Sequence, residues 1–206
     1  MLRRPLIVAT GNPGKLREFG ALLKDLPFDL CGLGELGIPA PEESGSSFLD
    51  NALLKARHAA AAGASVGLPG VAALADDSGL EVDALGGAPG IYSARYAGSG
   101  AEDSANNVKL LDALKRTPPD QRRARYRCAL VFVRSALDSA PLIAEGVWEG
   151  LILDEPRGSG GFGYDPYFFL AELGLTAAEL DATTKNRLSH RGIAMRALRD
   201  RLAAGA

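Results

Sequence analysis

The apolar positions along the chain follow two rhythms. Leu6 to Thr10 begins as an unbroken apolar run and predicts a buried strand. Beyond the turn Gly11-Asn12-Pro13-Gly14, Leu16, Phe19, Leu22, Leu23 and Leu26 recur at helical spacing, so a helix is expected from about Lys15. Residues 28–45 lose the rhythm and read as loop, with an apolar stretch from Phe28 to Leu33. A second helix should run through Asn51, Lys55 and His58 towards Ala62. Ser47 and Asp50 resemble a capping box before it, Gly63 stops it, and Phe48, Ala52, Ala56 and Ala59 give it a small-residue packing face. Val71 to Ala75 predicts a short strand. Leu80, Val82 and Ala84 alternate with Glu81 and Asp83 and predict another.

Further on, Val108, Leu111 and Leu114 give Asp103 to Arg116 a helical period, which Pro118-Pro119 ends. Tyr126 to Val133 and Leu142 to Trp148 read as the arms of a long antiparallel hairpin around the loop from Ser135 to Pro141. A separate strand is expected from Gly150 to Leu153. Thr176 and Glu179 make a capping box for a short helix. The last helix, capped by Ser189, should bury Ile193, Ala197, Leu198 and Leu202. No internal repeat, low-complexity segment or disordered linker interrupts this order.

Composition narrows the class. The 206 residues suffice for one α/β domain or two small lobes. Hydrophobic content of 47% and charged content of 23% match an ordinary soluble globular protein. No apolar run approaches the roughly 20 residues of a membrane span. Met1 to Arg4 is basic, but Leu6 to Ala9 is too short for a signal-peptide core, so a cytoplasmic protein is expected. Cys31 and Cys128 stand far apart without a CxxC, which argues against a disulfide framework and a structural zinc. The net charge of −2 leaves no footprint for duplex nucleic acid, and the basic run Arg122 to Arg127 reads as a solvated face or strand edge.

Candidate chemistry concentrates in a few places. Asp76 and Asp77 are adjacent carboxylates between two strand signals, where like charges repel and lose water. A divalent cation or proton transfer would account for them, and so would a solvated turn with an Asx bond. TGNPGK, residues 10–15, joins a strand to a helix start, where free N–H groups and the dipole attract anions; a plain turn with an exposed lysine fits equally. It is not a Walker loop. Glu43 is either an oxygen ligand or a helix-start charge, and His58 reads as surface or packing. GSGGFGYD, residues 158–165, lets backbone approach a ligand closely while Phe162 and Tyr164 offer flat faces; a flexible hairpin loop is the alternative. Lys185, Asn186, Ser189, His190 and Arg191 crowd into seven residues. Cations at a helix start oppose the dipole, which points to an anionic or nucleotide partner.

Five stretches together resemble one family: TGNPGK (10–15), EESGSSFLDNALLKA (42–56), ADDSGLEVDALGGAPGIYSARYAG (75–98), GGFGYDPYF (160–168) and KNRLSHRG (185–192). They look like the inosine/xanthosine triphosphate pyrophosphatases, the Ham1 family, over nearly the whole chain and in order. Ser44 stands where a threonine is common. The resemblance implies a single domain over residues 1–206 with an elongated α/β fold, in which a central mixed sheet is flanked by helices and a nucleotide cleft lies between two lobes. It also implies a homodimer that hydrolyses ITP, dITP and XTP to the monophosphate and pyrophosphate with Mg2+. Charge and the shortness of the apolar runs set the expectation of no nucleic-acid and no membrane partner. By position, Thr10, Gly11, Asn12, Pro13, Gly14 and Lys15 would contact the phosphates. Asp77 would be the proton acceptor and a metal ligand, with Glu43 and Asp76. Ser78 would touch substrate, and Phe162, Gly163, Tyr164, Asp165, Lys185, His190 and Arg191 would complete the nucleotide pocket. On charge alone Lys15, Lys55 and Lys185 are candidate phosphate clamps. Two other readings stay open here: hydrolysis of modified pyrimidine or ordinary nucleoside triphosphates, and a nucleotide-binding regulator without catalysis.

Overall fold

The apolar run of Leu6, Ile7 and Val8 forms strand β1, Arg4–Val8, and those three side chains are at most 1% exposed. The computed structural model describes residues 3–204. Helix α1 follows at Pro13–Leu23, starting two residues before the expected Lys15 because proline tolerates the first helical turn. Phe28–Gly32 then forms β2, parallel to β1. Its mixed burial carries no alternation, which is why the segment reads as loop in the sequence.

Helix α2, Phe48–Gly63, is capped as expected: the Ser47 hydroxyl accepts from the Asp50 N–H at 3.1 Å. Phe48, Ala52, Ala56 and Ala59 are all buried on its packing face. A Cβ on Gly63 would stand 2.4 Å from Val71 and 3.2 Å from Ile7, so the helix end packs directly on β1 and on the residue that leads into the next strand.

The two strands expected around the acidic pair are one. β3 spans Ala72–Val82 without a break, and Asp76, Asp77 and Ser78 lie within it. Helix α3 is Asp103–Leu114. It buries Asn106, Asn107, Leu110 and Leu114, while Val108, expected inside, is 68% exposed. β4, Arg123–Val133, and β5, Leu142–Ile152, are long strands, and β5 absorbs the separate strand expected after Gly150. Gly150 sits within β5 because a Cβ there would meet the Phe168 ring at 2.7 Å and the Phe169 carbonyl at 2.8 Å. Short strands β6, Phe168–Leu170, and β7, Leu175–Thr176, follow, then helices α4, Ala182–Leu188, and α5, His190–Ala204. The buried face of α5 is Ala194, Met195 and Leu198, shifted from the expected stripe.

The strands make a seven-stranded sheet in the order β2-β1-β3-β4-β5-β6-β7. β1 is parallel to β2 and β3, whereas β5, β6 and β7 pair antiparallel, so the sheet is mixed and the fold is α/β. The chain forms two compact units. One holds the residues up to Asp77, Ala129–Glu145 and those from Ala194 onward; the other holds Ser78–Cys128 and Gly146–Ile193. In the second unit Leu80, Leu110, Leu114, Tyr126, Trp148 and Phe168 build the core. The basic run that opens β4 is only partly a solvated face. Arg122 is 4% exposed and bonds the Thr117 carbonyl at 2.9 Å and Asp154, while Arg125 and Arg127 reach Glu81 at 3.0 and 3.6 Å. No helix among the described residues is long and apolar enough to cross a membrane.

Candidate active site

In the first unit the chemistry gathers where β1 hands the chain to α1. β1 runs beside β3 with Val8 opposite Leu74, and the Ala9 N–H donates to the Leu74 carbonyl at 2.8 Å. Carboxyl ends of strands are where ligands enter open α/β sheets. Asn12 caps α1, and its Oδ1 accepts from the N–H groups of Gly14 at 2.7 Å and Lys15 at 3.1 Å. Those donors, expected free for an anion, are therefore already engaged, and Thr10 Oγ1 takes the N–H of Asn12. The positive charge comes instead from the Lys15 ammonium, 3.0 Å from Asp76 Oδ2.

Asp76 and Asp77 are 1% and 5% exposed, so neither lies in a solvated turn. Asp77 accepts from Asn51 Nδ2 at 3.1 Å on one oxygen and from Lys55 Nζ at 2.9 Å on the other. Asn51 and Lys55 reach it together because they stand one turn apart on α2. The same ammonium meets Glu43 Oε1 at 2.9 Å. Glu43 is brought there by backbone packing: the Gly45 N–H donates to Asn51 Oδ1 at 2.8 Å, and a Cβ on Gly45 would stand only 2.6 Å from that oxygen. Burial pushes the Asp77 carboxyl above its usual range, with Lys55 pulling the other way. Burial alone would lower the Lys55 ammonium, but Asp77, Asp76 and Glu43 outweigh it and hold the group raised and charged. Asn51 received no role from the sequence beyond sharing a face with Lys55. An amide inside a helix, a poor helix former at that spacing from a lysine, was the available signal.

The second unit holds the other group. Asp165, 3% exposed, accepts from Lys185 Nζ at 2.7 Å and from the Phe162 N–H at 2.8 Å. Gly161 has φ of +75°, and a Cβ there would meet Asp165 Oδ2 at 2.1 Å, so only glycine lets the loop fold over this carboxylate. Over the Phe162 ring stand the Lys185 ammonium at 4.7 Å and the Arg191 guanidinium at 5.9 Å. Arg191 also donates to Ser78 Oγ at 3.0 Å. Tyr164, expected to offer a flat face, belongs to the core, with its hydroxyl on the Ser93 carbonyl at 2.8 Å. His190 is 6% exposed and stacks on Tyr126 at 4.8 Å between ring centres. His190 and Arg191 are therefore packed within the fold rather than standing free at a helix start. A Cβ on Gly192 would overlap the Asn186 carbonyl, so α4 and α5 meet through backbone there.

In the first unit Lys15 and Lys55 neutralise Glu43 and the adjacent pair Asp76 and Asp77, a set suited to a polyanion; in the second, the Phe162 ring beneath two cations suits a planar group. The Ham1 family model matches residues 6–201. The chain belongs to the Ham1 family. It is 54% identical over 197 residues to the dITP/XTP pyrophosphatase of Pectobacterium atrosepticum, covering 96% of this chain and 97% of that one. The dITP/XTP pyrophosphatase of Thioalkalivibrio sulfidiphilus is 55% identical over the same shares of each chain. Among solved structures, a HAM1 protein from Coxiella burnetii matches with a TM-score of 0.86 at 44% identity, covering 98% of this chain and 99% of its own. The dITP/XTP pyrophosphatase from Mycobacterium abscessus matches with a TM-score of 0.70 at 41% identity, over 94% and 98%. All five stretches that carried the resemblance lie inside the matched span.

Proposed function

We propose that this Ham1-family chain is a nucleoside triphosphate pyrophosphatase that hydrolyses dITP, ITP and XTP to the monophosphate and pyrophosphate with Mg2+, as a cytoplasmic homodimer. The observation that carries the reading is the convergence of Glu43 and Asp77 on the single ammonium of Lys55. A buried carboxylate and a partly buried one from separate segments, bridged by a lysine, are costly for a fold and useful to a polyanion's chemistry.

Among the described residues no three of His, Cys, Asp and Glu are placed to cage a metal ion by themselves. The trio Glu43, Asp76 and Asp77 is thus not a ready-made cage. The donor set nevertheless suits Mg2+, a hard ion held by one or two carboxylates together with waters and substrate phosphates. Glu43 and Asp77, with Asp76, are the residues that would hold it. When bound, Mg2+ supplies charge neutralisation on the phosphate oxygens.

The chain's own residues do the rest. Lys15 and Lys55 answer the negative charge of the phosphates. Asn51 fixes one oxygen of Asp77, leaving the carboxylate oriented. Asp77, raised by burial, is the stronger base for it and accepts the proton of an attacking water. The water oxygen forms a bond to the α-phosphorus, the α–β bridging bond breaks in line, and pyrophosphate leaves. No covalent intermediate is needed, because catalysis here is positioning and charge stabilisation. The second unit, taken by itself, offers the Phe162 face for a base beneath the cations of Lys185 and Arg191.

A substrate panel run with and without Mg2+ tests the proposal. ITP, dITP and XTP should release pyrophosphate, and orthophosphate should not appear first. Release of orthophosphate alone, or no release from any of the three, would overturn it.

A further inference from the structure

Asn107 on α3 is 8% exposed, yet its Oδ1 has no hydrogen-bond partner among the described residues. An unmet buried acceptor destabilises a fold, and a leucine of similar shape would remove it. The other end of the same amide is used: Nδ2 donates to the Gly163 carbonyl at 3.0 Å. One turn earlier on the same helix face, Asp103 Oδ2 accepts from the Gly163 N–H at 2.6 Å. One helix thus holds both backbone polar groups of one residue. Asp103 lies in the first turn of α3, where the dipole favours a carboxylate.

Gly163 needs such a grip. Its φ is +65°, and nothing lies within 4 Å of where a Cβ would stand, so side-chain packing does not set its conformation. The residue before it is Phe162, the ring beneath Lys185 and Arg191. We infer that Asp103 and Asn107 form a two-point clamp on the Gly163 backbone that sets Phe162 in place as the platform for the nucleobase. They are positioning residues, acting through the loop without touching substrate. The inference rests on the reading of Phe162 in the proposed function.

The test compares Asn107→Leu, Asp103→Ala and Asp103→Asn with the wild-type chain. Asn107→Leu should raise KM for ITP about tenfold, the weight of one hydrogen bond, with kcat within about twofold. Inhibition by inorganic tripolyphosphate, which has no base, should stay within about twofold. Asp103→Ala should show the same split between KM and kcat, and Asp103→Asn, which keeps an acceptor oxygen, should recover most of it. By residue-resolved hydrogen exchange, the Gly163 amide should exchange faster in Asp103→Ala and Asn107→Leu. An unchanged KM in Asn107→Leu, a parallel loss of tripolyphosphate inhibition, or unchanged Gly163 exchange would overturn the clamp. Absence of pyrophosphate release by the wild-type chain would overturn the functional reading instead, and the exchange rates would still judge the clamp.

Discussion

Asp77 has two environments at once: burial that disfavours its charge and a lysine that favours it. Replacing it with asparagine keeps the shape and the bond from Asn51 but removes the proton acceptor. Asp77→Asn should therefore lower kcat by about 100-fold or more while a nucleotide still binds, as a single-turnover assay beside a binding titration would show. The pH dependence has a definite sign. Because the folded-state carboxyl titrates above 3.8, its ionised form costs stability at neutral pH, and that cost fades as pH falls through the raised value. The wild-type chain should accordingly gain stability relative to Asp77→Asn between pH 7 and pH 4 in urea unfolding. A constant difference would mean the carboxyl is not raised. Lys55 pulls the Asp77 carboxyl down, so Lys55→Met should move the acid limb of kcat/KM to higher pH. At Lys15 the expected loss is stability as well as binding. Its ammonium faces Asp76, which is 1% exposed, and removing one partner of a buried pair costs about 3 kcal/mol or more. Lys15→Ala should lower the urea midpoint, and adding Asp76→Asn should restore much of it.

At the scale of elements, the site depends on strand β3 passing through its acidic residues without a turn. Adjacent aspartates between apolar runs read as a break, because propensity places Asp outside strands. The strand persists because lysines from α1 and α2 neutralise the pair, a fact of tertiary placement. Helix α2 was legible, because Ser47, the alanine face and Gly63 each carry a local signal. Its loop neighbour was not. Gly45 is small because α2 comes within 2.6 Å, and Gly45→Ala would move the segment bearing Glu43. That variant should lose about 1–3 kcal/mol of stability and, with Glu43 displaced, activity as well. A thermal melt read with turnover checks both. Helix α3 shows the opposite failure of pattern: Val108 is in phase but exposed, and Asn106 and Asn107 face inward because backbone groups await them.

For the molecule as a whole, the functional question is which base is accepted. Hypoxanthine and xanthine present a 6-oxo acceptor and a protonated N1, and adenine presents the reverse. A site that hydrogen-bonds that edge leaves its own buried groups unpaired when adenine enters. ITP should therefore be favoured over ATP by at least about 100-fold in kcat/KM, measured as pyrophosphate. Comparable values for the two would remove edge reading from the account.

The sequence by itself determined the class of elements, the caps of α2 and of the turn at Thr176, the buried β1 and the family, because these rest on local period, capping chemistry and motifs of fixed spacing. It also singled out Asp76 and Asp77 by their chemistry and Lys15, Lys55 and Lys185 by their charge, while Glu43 joined them through the family resemblance. Tertiary structure alone decided that Lys55 bridges Glu43 and Asp77, that Asn12 consumes the N–H groups at its turn, that His190 and Tyr164 pack inward, and that Asn107 reaches Gly163. Each of those depends on a contact between residues whose meeting no local pattern encodes, since burial and pairing are properties of where separate segments come together.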